Sequence, residues 1–305
     1  MKKGKYLITG CAGFIGSHLV ESLHKKYKLL LVDDLSEGLI TNLPQNLRKK
    51  LIKKKIQNIG MNKIKDLKGI FHLAAQSSVP ISINNFYASS SNNISSSLKV
   101  FEIAKKFSVP VIYASSSAVY GNIPKGCDIK NKFDISSPYA QDKLVLEKYS
   151  KMFFDVFKLS SIGLRFFNVY GPRQNANSPY SAVIPIFIDK MKKNLPITIN
   201  GGYQTRDFIF IKDVIKIMEL SMHKAQSKKI FNIFNVGTGR SIDIDFLFKL
   251  IKKNIPNKSK VIRRKLDHFD PKRSLGKFNK LRKFLKNKKI NYTQLEDGII
   301  KTISF

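Results

Sequence analysis

The chain has 305 residues, 43% of them hydrophobic and 25% charged, enough to bury a large core, most simply as two lobes. Two cysteines, Cys11 and Cys127, exclude a disulfide framework; the opening apolar run Tyr6-Leu7-Ile8 is too short for a signal-peptide core, and no run reaches the ~20 residues that span a bilayer, so a cytoplasmic protein without a membrane segment is expected. The net charge of +34 is that of many nucleic-acid binders, but arginine supplies only nine of the 55 basic residues and the runs Lys53-Lys54-Lys55 and Lys286-Asn287-Lys288-Lys289 lack interleaved aromatics, so a lysine-rich composition explains the charge better than a base-stacking surface.

Residues 5–9 read as a short buried strand. Gly10, Gly13 and Gly16 follow in a G-x-x-G-x-x-G turn, and a helical pattern continues through Leu19, Val20 and Leu23. A second apolar run, 29–32, ends in Asp33-Asp34. This order of strand, turn, helix and strand puts the backbone around Phe14 and Ile15 at a helix N-terminus, where a pyrophosphate can bind. Asp33 lies 17 residues beyond Gly16, about where an acidic group accepts bonds from an adenosine ribose. A carboxylate there repels a 2′-phosphate and favours NAD over NADP.

Residues 37–69 are polar and lysine-rich, with one weak strand at 51–56. A buried strand and a small-residue turn holding Ala74 and Ala75 occupy 69–75. A long helix with a serine-rich middle covers 84–107, and an all-apolar strand covers 109–114. Strands apolar on both faces, alternating with helices, indicate an α/β fold: a Rossmann-type doubly wound parallel sheet covered on both sides. The last of these strands runs into Ser115-Ser116-Ser117-Ala118-Val119-Tyr120-Gly121, at the carboxyl end where open α/β sheets bind ligands.

A helix is expected to begin at Pro138, whose fixed φ suits a first turn. Tyr139 and Lys143, four apart, share one of its faces. A tyrosine, with a pKa near ~10, is a poor base at neutral pH. An ammonium group one turn away favours the phenolate, so the pair can serve as general base or acid. A strand at 160–167 ends at Asn168. Beyond Pro172 come a polar loop, a helix over 182–193, a strand at 197–199 and the turn Gly201-Gly202. An apolar run at 208–211 leads into a helix through Met222, and a strand at 231–236 ends at Gly237-Thr238-Gly239. The expected division is an NAD-binding domain over 1–172, with 208–236 returning to it, and a smaller α/β substrate-binding lobe made of 173–207 and 237–305. The five histidines are scattered without metal-ligand spacing, so no metal site is expected.

Eight blocks run in order over nearly the whole chain. They are Thr9-Gly10-Cys11-Ala12-Gly13-Phe14-Ile15-Gly16-Ser17-His18, Val32-Asp33-Asp34-Leu35, Phe71-His72-Leu73-Ala74-Ala75-Gln76, Ser115 to Gly121, Ser137-Pro138-Tyr139 with Lys143, Leu164-Arg165-Phe166-Phe167-Asn168-Val169-Tyr170-Gly171, Gln204-Thr205-Arg206-Asp207-Phe208 and Asn235-Val236-Gly237-Thr238-Gly239. In this order and spacing the chain resembles the extended short-chain dehydrogenase/reductases of the NAD-dependent epimerase/dehydratase family, above all the UDP-glucose and UDP-N-acetylglucosamine 4-epimerases. The resemblance implies a bound NAD and a UDP-sugar epimerised at C4 through a transient 4-keto sugar. It implies that Ser116 bonds the reacting sugar oxygen and that Tyr139 takes the proton of the 4-hydroxyl. Lys143 would hold the nicotinamide ribose and depress the tyrosine pKa. Asn168 would bond the diphosphate region and Arg206 the diphosphate. Ser78 and Val183 complete the implied substrate set, Val183 within Tyr180-Ser181-Ala182-Val183-Ile184-Pro185, a segment similar to the one that holds uracil. A homodimer, paired through the long helix and the Tyr139 helix, is also implied.

The chain departs from the family pattern in places. Asn58 stands where an aspartate usually lies near adenine. The family's Arg-x-Gly-Asp aligns with Asp267-His268-Phe269-Asp270, so a second phosphate arginine is missing there, and Arg263, Arg264 or Arg273 is left to replace it. Ser274, four residues beyond Asp270, is small where a bulky family residue narrows the sugar pocket, which leans toward UDP-N-acetylglucosamine or its uronate. Ser116-Ser117-Ala118 replaces the Thr-Asp-Glu of the 4,6-dehydratases, which disfavours that reaction. A UDP-glucuronate epimerase or decarboxylase stays open, and an RNA-binding protein built on a basic NAD fold is the alternative of another class.

Overall fold

The structure, a computed structural model, describes residues 4–130, 132–176, 182–266, 270–285 and 290–305. Seven of the runs form one parallel sheet: β1 (Lys5–Thr9), β2 (Lys28–Asp33), β3 (Leu51–Lys53), β4 (Leu67–His72), β5 (Val111–Ser116), β6 (Ser161–Phe166) and β7 (Phe231–Val236). Their spatial order is β7-β6-β5-β4-β1-β2-β3. The chain runs outward from β1 first through β2 and β3, then through β4 and β5 on the other side. The strand order therefore reverses between β1 and β4, the place where sheets of this kind hold ligands beyond their carboxyl ends.

Four helices bear on the site: α1 (Phe14–Leu23), α2 (Val79–Asn84), α3 (Phe86–Phe107) and α4 (Pro138–Phe157). Leu7, Val32, Ile70, Val111 and Tyr113 of the sheet pack with Val100 and Phe101 of α3 and Leu146 of α4 in one buried cluster. Each such side chain contributes about 1.5–3 kcal/mol by leaving water. Because the inner strands are buried on both faces, they show little polar alternation and appear in the sequence as apolar runs, whereas the edge strand Leu51–Lys53 is half-buried to exposed.

Some local expectations are revised. The strand at 51–56 ends at Lys53, and Ile56–Asn58 is a 3₁₀ turn, since three successive lysines leave nothing to bury. The helix at 84–107 is preceded by a separate one. Ser78 caps α2 by accepting the Ile81 N–H at 3.3 Å, with Pro80 in the first turn, and Asn85 at φ −126° interrupts the path before α3. The strand at 109–114 starts after Pro110 and runs on through Ser116, so Ser115 and Ser116 are strand residues with fixed directions.

The chain divides into two compact units. One holds the chain up to Ser116 with Ser137–Arg165 and Ile215–Phe234; the other holds Ser117–Ser136, Phe166–Val214 and the chain from Asn235 onward. In the second unit Ile242–Asp243, Thr205–Arg206, Arg273–Lys277 and Lys125–Cys127 form a four-stranded sheet in that order. Asn168–Tyr170 pairs in parallel with Phe208–Phe210, and Ile197–Asn200 with Val261–Arg264. The run at 208–211 therefore joins Asn168–Tyr170 and not the large sheet.

Candidate active site

The chain leaves β1 through Gly10 at φ +67°, a left-handed conformation that glycine adopts freely. A Cβ on Gly16 would fall 1.9 Å from the Gly10 carbonyl oxygen, so the start of α1 lies directly on the turn. Gly13 is the N-cap of α1 and supplies no side-chain cap to the first-turn N–H groups, to which Phe14 and Ile15 belong. Asp33 closes the turn from β2, accepting the Ala12 N–H at 2.8 Å and the Leu35 N–H at 2.9 Å. Burial raises the Asp33 pKa and these bonds pull it back. Asp34 accepts the Ser36 N–H at 3.0 Å and its hydroxyl at 2.6 Å. Ala74 and Ala75 are half-buried in the turn after β4, where Thr9 Oγ1 accepts the N–H groups of Leu73 and Ala74 at 3.2 Å each. Asn58 is exposed on its 3₁₀ turn.

The helix expected at Pro138 begins there. Ser137 caps it by accepting the Ala140 N–H at 3.2 Å, and Ser82 Oγ of α2 accepts the Tyr139 N–H at 3.2 Å. The Tyr139 side chain is buried and hydrogen-bonded to the Ser116 hydroxyl at the end of β5. Lys143, also buried, donates from Nζ to the Ala114 carbonyl at 2.9 Å and lies 5.6 Å from the centroid of the Tyr139 ring. The three residues that the sequence pairs by spacing and order are thus brought together by β5 and the first two turns of α4.

Their ionisation differs from the expectation. Burial raises the Tyr139 pKa above its ordinary value of 10.0; the Ser116 hydrogen bond lowers it, and the Asp142 charge adds to the rise. Desolvation dominates, so the tyrosine is not held low as the spacing suggested. Lys143 is itself pushed down by burial to about 8, with the carboxylates of Asp142 and Glu147 acting against that fall.

Behind the site, Ser115 Oγ donates to Glu147 Oε1 at 2.5 Å, and Arg165 on β6 binds the same carboxylate at 2.7 and 2.5 Å, all fully buried. This network fixes α4 against β5 and β6. Sequence reading missed it, and the only signal was two opposite charges inside otherwise buried segments.

In the second unit, Arg206 and Ser274 are in register on adjacent parallel strands, and the Asp207 N–H donates to the Ser274 carbonyl at 3.1 Å. Arg206 is buried, bonds the Thr205 carbonyl at 2.9 Å and forms an ion pair with Asp270. Asn168 donates its N–H and its Nδ2 to the Asp207 carbonyl at 3.0 and 3.2 Å. Val183 opens the helix Val183–Lys192, while Tyr180, Ser181 and residues 267–269 lie outside the described residues. Of the three candidate replacement arginines, Arg263 pairs with Asp245 at 3.0 Å and Arg264 is exposed. Arg273, with Lys272, Asp270 and Tyr203, lines a cavity of about 700 Å³.

The family model of the NAD-dependent epimerase/dehydratase family matches residues 6–237. The chain belongs to the NAD-dependent epimerase/dehydratase family. Over its full length it is 37% identical to the UDP-N-acetylglucosamine 4-epimerase of Methanobrevibacter ruminantium, solved with UDP-N-acetylmuramic acid, with 98% of that chain covered and a TM-score of 0.91. It is 30% identical to the UDP-glucose 4-epimerase of Thermotoga maritima, solved with UDP-glucose, over 98% of this chain and 97% of that one, with a TM-score of 0.88. A curated UDP-glucuronate 4-epimerase of Thermodesulfobacterium geofontis is 30% identical over 99% of this chain and 96% of its own.

The cofactor of this epimerase/dehydratase chain is NAD, and the residues present fit it. A Cβ on Gly13 would meet only the Gly10 carbonyl oxygen, at 3.3 Å, so the N-terminus of α1 stands open to a diphosphate. Asp33, at the end of β2, places a carboxylate where a 2′-phosphate would be repelled. Among the described residues no helix is long and apolar enough to cross a membrane.

Proposed function

We propose that the protein epimerises a UDP-sugar at C4 through a transient 4-keto sugar, with a substrate of the UDP-N-acetylglucosamine or UDP-glucose type. The observation that carries this reading is the hydrogen bond between the half-buried Ser116 hydroxyl and the buried Tyr139 hydroxyl, beside the desolvated ammonium of Lys143. NAD, when bound, would supply the acceptor and then the donor of the C4 hydride. Tyr139 takes the proton of the 4-hydroxyl as the ketone forms and gives it back as the ketone is reduced. Ser116 hydrogen-bonds the same oxygen and steadies the charge that develops on it. Lys143 uses one N–H on Ala114, which fixes its direction, and has further N–H groups for the nicotinamide ribose.

Arg206 binds the diphosphate, where a guanidinium can engage two oxygens at once. Arg273 stands in for the missing second arginine; it lines the cavity that also holds Asp270, the partner of Arg206. Asn168, Ser78 and Val183 complete the substrate contacts, Asn58 lies near adenine, and Ser274 leaves room for a 2-acetamido group. The protein works as a homodimer.

The test is purified protein offered UDP-N-acetylglucosamine, UDP-glucose and their uronates. Conversion of at least one to its C4 epimer is expected. Tyr139→Phe should lower turnover at least about 10³-fold while melting temperature and bound NAD stay unchanged. Near-normal epimerisation by that variant would remove Tyr139 as the base. Release of carbon dioxide or water, without an epimer, would replace the reading with a decarboxylase or a dehydratase.

A further inference from the structure

His72 is a buried imidazole to which the reaction above gives no task. It ends β4, directly before the turn that carries Ala74 and Ala75. Its Nδ1 lies 2.8 Å from Thr9 Oγ1 of β1, and its Nε2 lies 3.2 Å from Ser97 Oγ of α3. All three residues are buried. The Ser97 hydroxyl donates its single proton to the Asn93 carbonyl at 2.7 Å, so towards the ring it can only accept. Nε2 therefore carries the ring proton, and Nδ1 is the acceptor for the Thr9 hydroxyl. With its proton so used, Thr9 Oγ1 has two lone pairs for the N–H groups of Leu73 and Ala74, at 3.2 Å each. Every donor in this chain of bonds faces an acceptor, and only one tautomer of His72 allows that.

The bonds end on a turn that lies against the glycine turn. A Cβ on Gly10 would fall 2.7 Å from the Ala74 nitrogen and 2.8 Å from the Leu73 carbonyl carbon. The two turns therefore touch backbone to backbone where the strand order reverses between β1 and β4, the place for a ligand. Beyond Ala75, Asn93 of α3 accepts the Gln76 N–H at 2.8 Å and donates to the Gln76 carbonyl at 3.1 Å. The turn is thus held on both sides of Ala75, by Thr9 before it and by Asn93 after it. His72 joins the two holds through Ser97 and the Asn93 carbonyl. Burial and the Lys143 charge push the His72 pKa down to about 3, so a neutral ring agrees with the bonding.

We propose that His72 is a positioning residue for the cofactor: as an Nε2–H imidazole it fixes the Thr9 hydroxyl with its lone pairs towards Leu73 and Ala74, and so holds residues 73–75 in the form that receives NAD. Without the ring acceptor the Thr9 hydroxyl is free to rotate, and its proton can turn against the N–H groups that it now accepts. The proposal rests on NAD as the cofactor and not on which sugar is turned over.

Nitrogen NMR of the full chain with labelled histidine reads the ring directly, the His72 signals being those lost in His72→Asn. The neutral Nε2–H tautomer is expected, unchanged down to about pH 5. Thr9→Val keeps the shape of Thr9 and removes the hydroxyl, and His72→Leu removes both ring nitrogens. In each, NAD titrated into the nucleotide-free chain should bind at least about 10-fold more weakly, because the buried N–H groups of the turn lose their acceptor or its alignment. Thr9→Ser keeps the hydroxyl, and His72→Asn offers an amide oxygen in place of Nδ1; both should bind NAD as the wild type does. An Nδ1–H or charged ring would overturn the proposal. So would a Thr9→Val or His72→Leu chain that melts earlier yet binds NAD with unchanged affinity, which would leave the bonds a structural role only. Should His72→Leu not fold, Thr9→Val carries the affinity test, and the wild-type spectrum decides the tautomer in either case. None of these readings needs a sugar to be epimerised, so a failure here is distinct from a failure of the reaction proposed above.

Discussion

At Tyr139 burial and a hydrogen bond pull one hydroxyl in opposite directions. Burial disfavours the phenolate, and the Ser116 bond favours it. In the mechanism proposed above, Ser116 would therefore have a second task besides bonding the sugar oxygen: its hydrogen bond offsets part of the burial penalty on the Tyr139 phenolate. Ser116→Ala removes a bond to the phenolate, so the Tyr139 pKa rises further. With the Lys143 pKa about 8 and the Tyr139 pKa raised above 10.0, Tyr139 sets the alkaline limb of the rate profile. That limb should shift to higher pH, with turnover lowered about 10²-fold at the plateau. A pH profile of the variant checks this, and an unmoved alkaline limb would leave Ser116 only its contact with substrate. The glycine turn, Asp33, Ser116, Tyr139 and Lys143 were legible because each belongs to a short pattern with fixed spacing. The ionisation of Tyr139 was not legible, because spacing reports the nearby ammonium and is silent on the desolvation that overrides it.

At the scale of the element, α4 is a helix with three charged side chains buried: Asp142, Lys143 and Glu147. Its position relative to β5 depends on Glu147, which ties Ser115 to Arg165. Glu147→Ala leaves the Arg165 guanidinium buried without its carboxylate and should cost about 3–5 kcal/mol in urea unfolding. Replacing both partners by Met should cost far less, because no charge is then stranded. A loss in the double variant equal to that in Glu147→Ala would show that packing, not charge, accounts for the effect. The inner strands of the sheet were legible as apolar runs, and so was the start of α4; the edge strand Leu51–Lys53 was legible only as a weak strand with a later end. The strands Thr205–Arg206 and Ile242–Asp243 were not, since two residues carry no periodicity and their pairing comes from distant parts of the chain. The separate α2 was signalled by Ser78 with Pro80, a cap and a first-turn proline that the serine-rich stretch beside it concealed.

At the scale of the molecule, exposed apolar side chains stand on the two helices from which a dimer is inferred. Tyr87 and Leu98 on α3 are 84% and 38% exposed, and Met152 and Val156 on α4 are 38% and 61% exposed. Such groups are often covered by a partner. The expected result is a dimer in sedimentation at micromolar concentration, converted to a monomer by Leu98→Lys combined with Met152→Lys. A wild-type monomer under those conditions would sink the dimer. The charge of +34 acts at this scale as well: a field of one sign draws in a diphosphate-bearing substrate and is screened by salt.

The approach of Gly16 to the Gly10 carbonyl also limits how this sequence can change. No side chain fits at 16 while the Gly10 carbonyl stays where it is, and position 10 is itself held at a positive φ. Neither position can be altered first and repaired by the other, because each substitution alone distorts the same turn. The two glycines form one mutational unit, closed to stepwise drift, and a methyl group on Gly13 between them would press on the same Gly10 carbonyl at 3.3 Å.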